Sequence, residues 1–228
     1  KGTKAGDSPI IPISAQSSLN VDALIGAIEE TIETPSRDES KNSIMHVLRS
    51  FDVNKPGTKI KDLKGGVIGG SLIQGKFAIG DEIEIKPGIM NEKKKSYQSI
   101  FTEIVSLGTG AGIVENANPG GLVAIGTKLD PSLSRSDSLI GSVIGKPDTL
   151  PENSTEAKLK VSLFDTAIGS TGETKVTPIQ VGELLRVNIG TAPIPAKVSK
   201  VKSDEIEIQL RRPVCLFGGK NVALSRRI

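Results

Sequence analysis

The chain has 228 residues, enough for two small domains with separate cores, and 36% of them are apolar. No apolar run approaches the ~20 residues of a membrane helix, and the start Lys1-Gly2-Thr3-Lys4 is no secretory signal. A single cysteine, Cys215, rules out an internal disulfide framework and fits a reducing, cytoplasmic compartment. The net charge of +3 is uneven: residues 196–228 sum to +5 and the remainder to −2. A basic end of this kind meets phosphates, or is simply a solvated face.

In chain order, Ile10-Ile11-Pro12-Ile13 reads as a buried strand and Ser14 to Ser18 as a loop. Val21, Leu24, Ile25, Ile28 and Ile32 then recur at helical spacing, with Asn20 as the N-cap and Pro35 beyond the end. One strand, one loop and one helix cannot bury a core, so residues 1–36 are expected to be the last βα unit of a larger domain. The polar run Thr34 to Asn42 reads as a linker. From there the apolar period is two. Strands are expected over Met45–Phe51, Ile83–Lys86 (before a turn at Pro87-Gly88), Ile100–Leu107 and Leu122–Ile125. Asn118-Pro119-Gly120-Gly121 is a turn signal. A second boundary at Gly145–Glu152 precedes three more alternating runs: Leu159/Val161/Leu163, Leu185/Val187/Ile189 and Ile206/Ile208/Leu210. The expected fold is mainly β: two consecutive β-barrels over 37–146 and 147–228 after the terminal βα unit.

Most short motifs dissolve on inspection. Gly70 to Lys76 matches G-x-x-x-x-G-K, but Phe77 stands where a magnesium-binding Ser or Thr is required, and a strand rather than a helix follows. The glycine cluster Gly65-Gly66-Val67-Ile68-Gly69-Gly70 is read two ways, as barrel curvature or as close approach of a ligand. His46 is the only histidine and Cys215 has no partner in sequence, so neither metal binding nor nucleophilic catalysis is indicated.

Longer stretches carry a family signature. The run Leu48 to Thr58 (L-R-S-F-D-V-N-K-P-G-T), Asp62 to Val67, Gly80 to Gly88 and Pro119 to Pro131 resemble the gamma subunit of translation initiation factor 2. Leu139 to Lys146, Val187 to Ala192, Asp204 to Glu207 and Leu224 to Ile228 do as well. The resemblance implies a three-domain GTPase of the elongation-factor type, the core of an alpha-beta-gamma heterotrimer. Such a factor carries methionyl initiator tRNA to the small ribosomal subunit.

Under that resemblance Ser14, Ala15 and Gln16 form the last guanine-recognition loop. GTP or GDP with Mg2+ belongs to the full-length factor. The P-loop, D-x-x-G and N-K-x-D precede residue 1 in the family, so this chain alone is expected to bind nucleotide weakly and not to hydrolyse it. The alpha subunit is expected on the first barrel, and the beta subunit on the GTPase domain. Lys64, Gly65, Gly66, Gly69 and Gly70 are expected to admit the tRNA end. Arg211, Arg212, Lys220, Arg226 and Arg227 are expected near its backbone. No membrane is expected as a partner. The competing expectations are a scaffold that binds only the alpha subunit, and a related aminoacyl-tRNA-carrying elongation factor.

Overall fold

The structure, a computed structural model, describes residues 6, 8–93, 95–166 and 175–226. The chain divides into two compact units, residues 1–36 and 37–228.

Among its described residues the first unit holds one helix, α1 (Val21–Thr31). The strand expected over Ile10–Ile13 does not form, and Ile10 is 95% exposed. A strand needs a hydrogen-bonding neighbour, and the described residues of this unit supply none. Asn20 stands at the N-cap position but does not cap: its backbone is left-handed (φ 57°) and its amide donates to the Pro12 carbonyl at 3.2 Å. Asparagine tolerates that conformation, and with its side chain tied to Pro12 the first-turn amides of α1 have no side-chain cap. None of the α1 side chains is buried; Ile25 and Ile28 are about half exposed.

The second unit is built of strands. In chain order they are β1 (Ile44–Phe51), β2 (Val67–Gln74), β3 (Phe77–Ala78), β4 (Glu82–Asn91), β5 (Ser96–Thr109), β6 (Gly112–Val114), β7 (Asn116–Ala117) and β8 (Leu122–Thr127). There follow β9 (Val143–Gly145), β10 (Asn153–Lys160), β11 (Leu184–Ile189), β12 (Ala192–Lys202), β13 (Glu205–Cys215) and β14 (Ala223–Ser225). Six of them close a ring in the order β4-β9-β1-β2-β8-β5, because β5 also pairs with β4. Alternate residues point inward, and Met45, Val47, Ile68, Leu72, Ile85, Ile104 and Ile125 form the sealed core. The expected turn at Pro87-Gly88 is instead a bulge within β4, which runs on to Asn91. At Gly88 (φ +82°) a Cβ would lie 1.8 Å from the Gln98 carbonyl oxygen, so only glycine lets the bulged strand lie against β5. The G-x-x-x-x-G-K stretch lies on β2 and the bend after it, with no helix following.

Strands β3 and β7 form a separate two-stranded sheet, and a five-stranded sheet runs β10-β13-β12-β11-β14 over its own core of Leu185, Val187, Ile194, Val198, Ile208 and Leu210. No pairing of β10 with β14 closes it among the described residues, so where a second barrel was expected over 147–228 the structure has an open sheet. Leu159 and Val161 pack against it, whereas Leu163, expected on the same face, is 41% exposed. The two β bodies are joined closely. Thr191 Oγ1 donates to the Val47 carbonyl at 2.6 Å, and a Cβ on Gly190 would sit 2.9 Å from the His46 ring. The largely buried Lys86 ammonium donates to the Leu150 and Pro151 carbonyls at 3.3 Å and lies 3.6 Å from Glu84.

Candidate nucleic-acid interface

The glycine cluster separates into two kinds of position. A Cβ on Gly65 would lie 1.9 Å from the Thr127 carbonyl oxygen, on Gly66 2.4 Å from Ser134 Oγ, and on Gly70 2.1 Å from the His46 carbonyl oxygen. These three let the barrel's own chain approach closely. Thr127 Oγ1 donates to the Gly66 carbonyl at 2.7 Å across the same contact. Lys64 is fixed by its backbone: its amide donates to Asn54 Oδ1 at 2.8 Å, and its carbonyl accepts from Asn54 Nδ2 at 2.7 Å. Gly69 differs. It faces outward, and a Cβ there would meet nothing nearer than Arg49 Cβ at 3.8 Å and Phe51 Cε2 at 3.9 Å.

Gly69 floors an apolar groove of about 580 Å³ walled by Leu48, Phe51, Ile113 and Leu122, with Gly108 opposite. Ile113 is 83% exposed and Leu122 68%, unusual for aliphatic side chains standing together. At the rim Arg49 lies 5.2 Å from the Phe51 ring centre, and its Nε donates to both Asp137 carboxyl oxygens at 2.9 and 3.1 Å. The Arg49 hydrogen bond, then the Ser50 amide, hold the Asp137 carboxyl below its ordinary range. A groove of this chemistry suits an unstacked base or a short apolar group beside a fixed cation.

The basic residues expected near the tRNA backbone do not form one patch. Arg226 is tied inward, with Nη1 3.2 Å from Glu183 Oε1 and Nη2 donating to the Thr177 carbonyl. Arg212 lies at the junction, where its Nη2 would be 3.2 Å from a Cβ on Gly141. Lys220 lines a separate cleft with His46. Arg227 lies outside the described residues. Arg211 is exposed on the outer face of β13.

Strand register gives Arg211 two companions that sequence reasoning missed. Arg186 pairs with Pro195, and Lys197 pairs with both Leu184 and Gln209. The β12–β13 ladder ends at Ala196–Leu210, and Arg211 follows it on β13, where that strand bulges against β10. Arg186, beside Pro195, and Lys197, about 7 Å further along β12, thus lie near the end of the ladder that Arg211 follows. All three are exposed, and none has a hydrogen-bond or ion-pair partner among the described residues. Glu156, opposite Gln209 on β10, borders the cluster. Without the three-strand register, Arg186 and Lys197 look like ordinary outward residues.

In the first unit, Ser14 and Leu19 exchange backbone hydrogen bonds at 3.2 and 3.0 Å, closing a tight loop around Ala15 and Gln16. The Ala15 amide has no partner among the described residues, and it is exposed. No group of His, Cys, Asp or Glu among the described residues could hold a metal ion. No helix among them is long and apolar enough to cross a membrane.

Comparison with known proteins agrees with this architecture. Residues 155–228 match the family described as initiation factor eIF2 gamma, C terminal. The translation initiation factor 2 subunit gamma of Pyrococcus furiosus is 52% identical over 230 residues, covering 100% of this chain and 56% of the relative. The proteins of that name from Methanocaldococcus jannaschii and Aeropyrum pernix are 48% and 50% identical, each again with 56% of its length covered. The chain thus spans about half the length of the curated relatives it matches. A crystal structure of the bacterial selenocysteine-specific elongation factor superposes on 94% of this chain and 31% of that one, with a TM-score of 0.68 and 17% identity. That likeness is one of fold alone.

Proposed function

We propose, from a chain that matches the gamma subunit of translation initiation factor 2 from end to end, that these residues are the RNA-carrying and partner-docking part of such a factor. In this reading residues 37–146 and 147–228 are its two β domains, and residues 1–36 close its GTPase domain. The factor carries methionyl initiator tRNA to the small ribosomal subunit within an alpha-beta-gamma heterotrimer, with the alpha subunit docked on the first barrel. The observation that carries the reading is the match itself, about half of all residues identical along the whole chain.

The geometry supports a division of labour. The groove over Gly69 suits the unpaired end of the tRNA, whose base and short apolar methionyl group need an apolar wall. The Arg186, Lys197 and Arg211 cluster suits the phosphates of a duplex arm. In this reading these residues meet only the base end of a guanine nucleotide, and the unpartnered Ala15 amide, which is free to donate to a base carbonyl oxygen, supports it. When bound to the whole factor, GTP with Mg2+ would supply the switchable charge. This chain's part is to position one edge of the base.

A titration of the purified chain against the alpha subunit and, separately, methionyl initiator tRNA at two salt concentrations tests the reading. Binding of alpha together with weak, salt-sensitive binding of the tRNA is the expected result. A folded chain that binds neither would overturn it.

A further inference from the structure

A second site, outside the RNA reading and independent of it, lies where the two β bodies meet. A cleft of about 490 Å³ is walled by Ile73, Val143, Ile189 and Leu216, and its polar edge carries His46 and Lys220. That volume is in the range of small-molecule sites. Phe217, Gly218, Gly219 and Lys220 form the loop after β13 that closes one side.

That edge carries several groups without partners. A Cβ at either Gly218 or Gly219 would meet no atom within 4 Å, so packing does not call for glycine there, although Gly219 has φ +71°. The amides of both glycines have no partner among the described residues. His46 stands edge-on to Phe217, with ring centres 6.3 Å apart, and no hydrogen bond reaches either ring nitrogen. Lys220 has no ion pair, yet its charge is felt at His46. Open backbone amides on a glycine loop, a lone ammonium and an unpaired imidazole are the parts of an oxyanion cradle. The other ionisable groups of the cleft are placed otherwise. Lys158 is 3.5 Å from Glu205, Glu156 lies on β10 beyond ion-pair reach of Lys220, and burial pushes the Cys215 thiol up to about 11.

We propose that this cleft binds a small organic anion, its phosphate, sulfonate or carboxylate head held by Lys220, His46 and the Gly218–Gly219 amides, with its apolar body against Val143 and Leu216. Because both β bodies line the cleft, occupancy ties them together. Because the head meets an imidazole, binding takes up a proton at His46.

The chain's single histidine makes the test clean, since one imidazole signal in a proton NMR spectrum belongs to His46. Benzenesulfonate is the probe, because its charge is constant across the titration range of histidine. Sulfate carries the head alone and benzyl alcohol the body alone. The expected result is a saturable shift of the His46 signal with benzenesulfonate, and a rise in its pKa of about one unit, equivalent to about tenfold tighter binding once His46 is protonated. Lys220→Met, a surface change that leaves the fold intact by circular dichroism, should weaken binding about tenfold or more. An unchanged His46 titration at saturating probe, or wild-type binding by the Lys220→Met chain, overturns the proposal. Sulfate binding as tightly as benzenesulfonate removes the apolar wall from the site and overturns the ligand class.

Discussion

Replacing Arg186, Lys197 and Arg211 together by glutamine should lower RNA affinity in a way that depends on salt. The three cations stand on three neighbouring strands, β11, β12 and β13, so each meets a separate phosphate rather than sharing one. A phosphate contact contributes roughly 0.7–0.9 to the slope of log affinity against log salt, so three contribute about 2–3. Between about 50 and 200 mM salt, a slope of that size alone weakens binding about 20- to 40-fold. The triple variant should lose that part of the slope and bind poorly at low salt, with its melting temperature unchanged, because exposed substitutions away from packing cost within about 0.5 kcal/mol. Filter binding of initiator tRNA across a salt series reads the slope directly. A folded triple variant with the wild-type slope would refute a phosphate role for this face, whatever happened to the affinity.

Arg226 provides the counterpart: Arg226→Met should cost about 1–3 kcal/mol by stranding Glu183, seen as a lower melting midpoint, and leave the RNA salt slope alone. Gly65→Ala should destabilise the first barrel by about 1–3 kcal/mol in urea, because its Cβ meets backbone, whereas Gly69→Ala should melt as wild type and affect only ligands in the groove. Stability should also fall in mild acid. Burial, then the Lys220 charge, hold the His46 imidazole below its ordinary 6.5, so the unfolded chain takes up its proton first. The contribution is complete above about pH 6.5 and is lost as pH falls through the lower folded value. Melts at about pH 7 and 5 should show a drop that His46→Gln diminishes.

The sequence made the strands of both β bodies legible because each buries one face, and Leu185/Val187/Ile189 and Ile206/Ile208/Leu210 alternate accordingly. It misled where a local signal had a non-local cause. Pro87-Gly88 signals a turn, but the partner strand β5 lies alongside and turns it into a bulge. Ile10 to Ile13 is apolar enough for a strand, yet pairing needs a neighbour. The glycine cluster showed that something approaches closely. Only the folded chain separates Gly65, Gly66 and Gly70, which admit neighbouring atoms of the barrel, from Gly69, which opens to solvent. The basic face was least legible: Arg186, Lys197 and Arg211 are far apart in the chain and become neighbours through two hairpin registers.

The two surfaces are not independent, because single strands serve both the junction and the sites. On β1, His46 and Val47 meet the second body while Leu48 and Phe51 wall the groove, all within about 17 Å of strand. At the other side, Gly190 and Thr191 make the contact, and the strands leaving that turn, β11 and β12, carry Arg186 and Lys197. Both strands are hydrogen-bonded along their length within the sheet, so neither stretches. The span from groove to basic face is therefore fixed by the Val47–Thr191 bond and by Gly190, whose missing side chain makes room for His46. Under the proposed function, an RNA with an unpaired end and a duplex arm would be held at two points of set separation, and the ordering cost of the second contact would fall once the first was made. Under that reading, tight packing where Val47 meets Thr191 has a reason in binding as well as in stability.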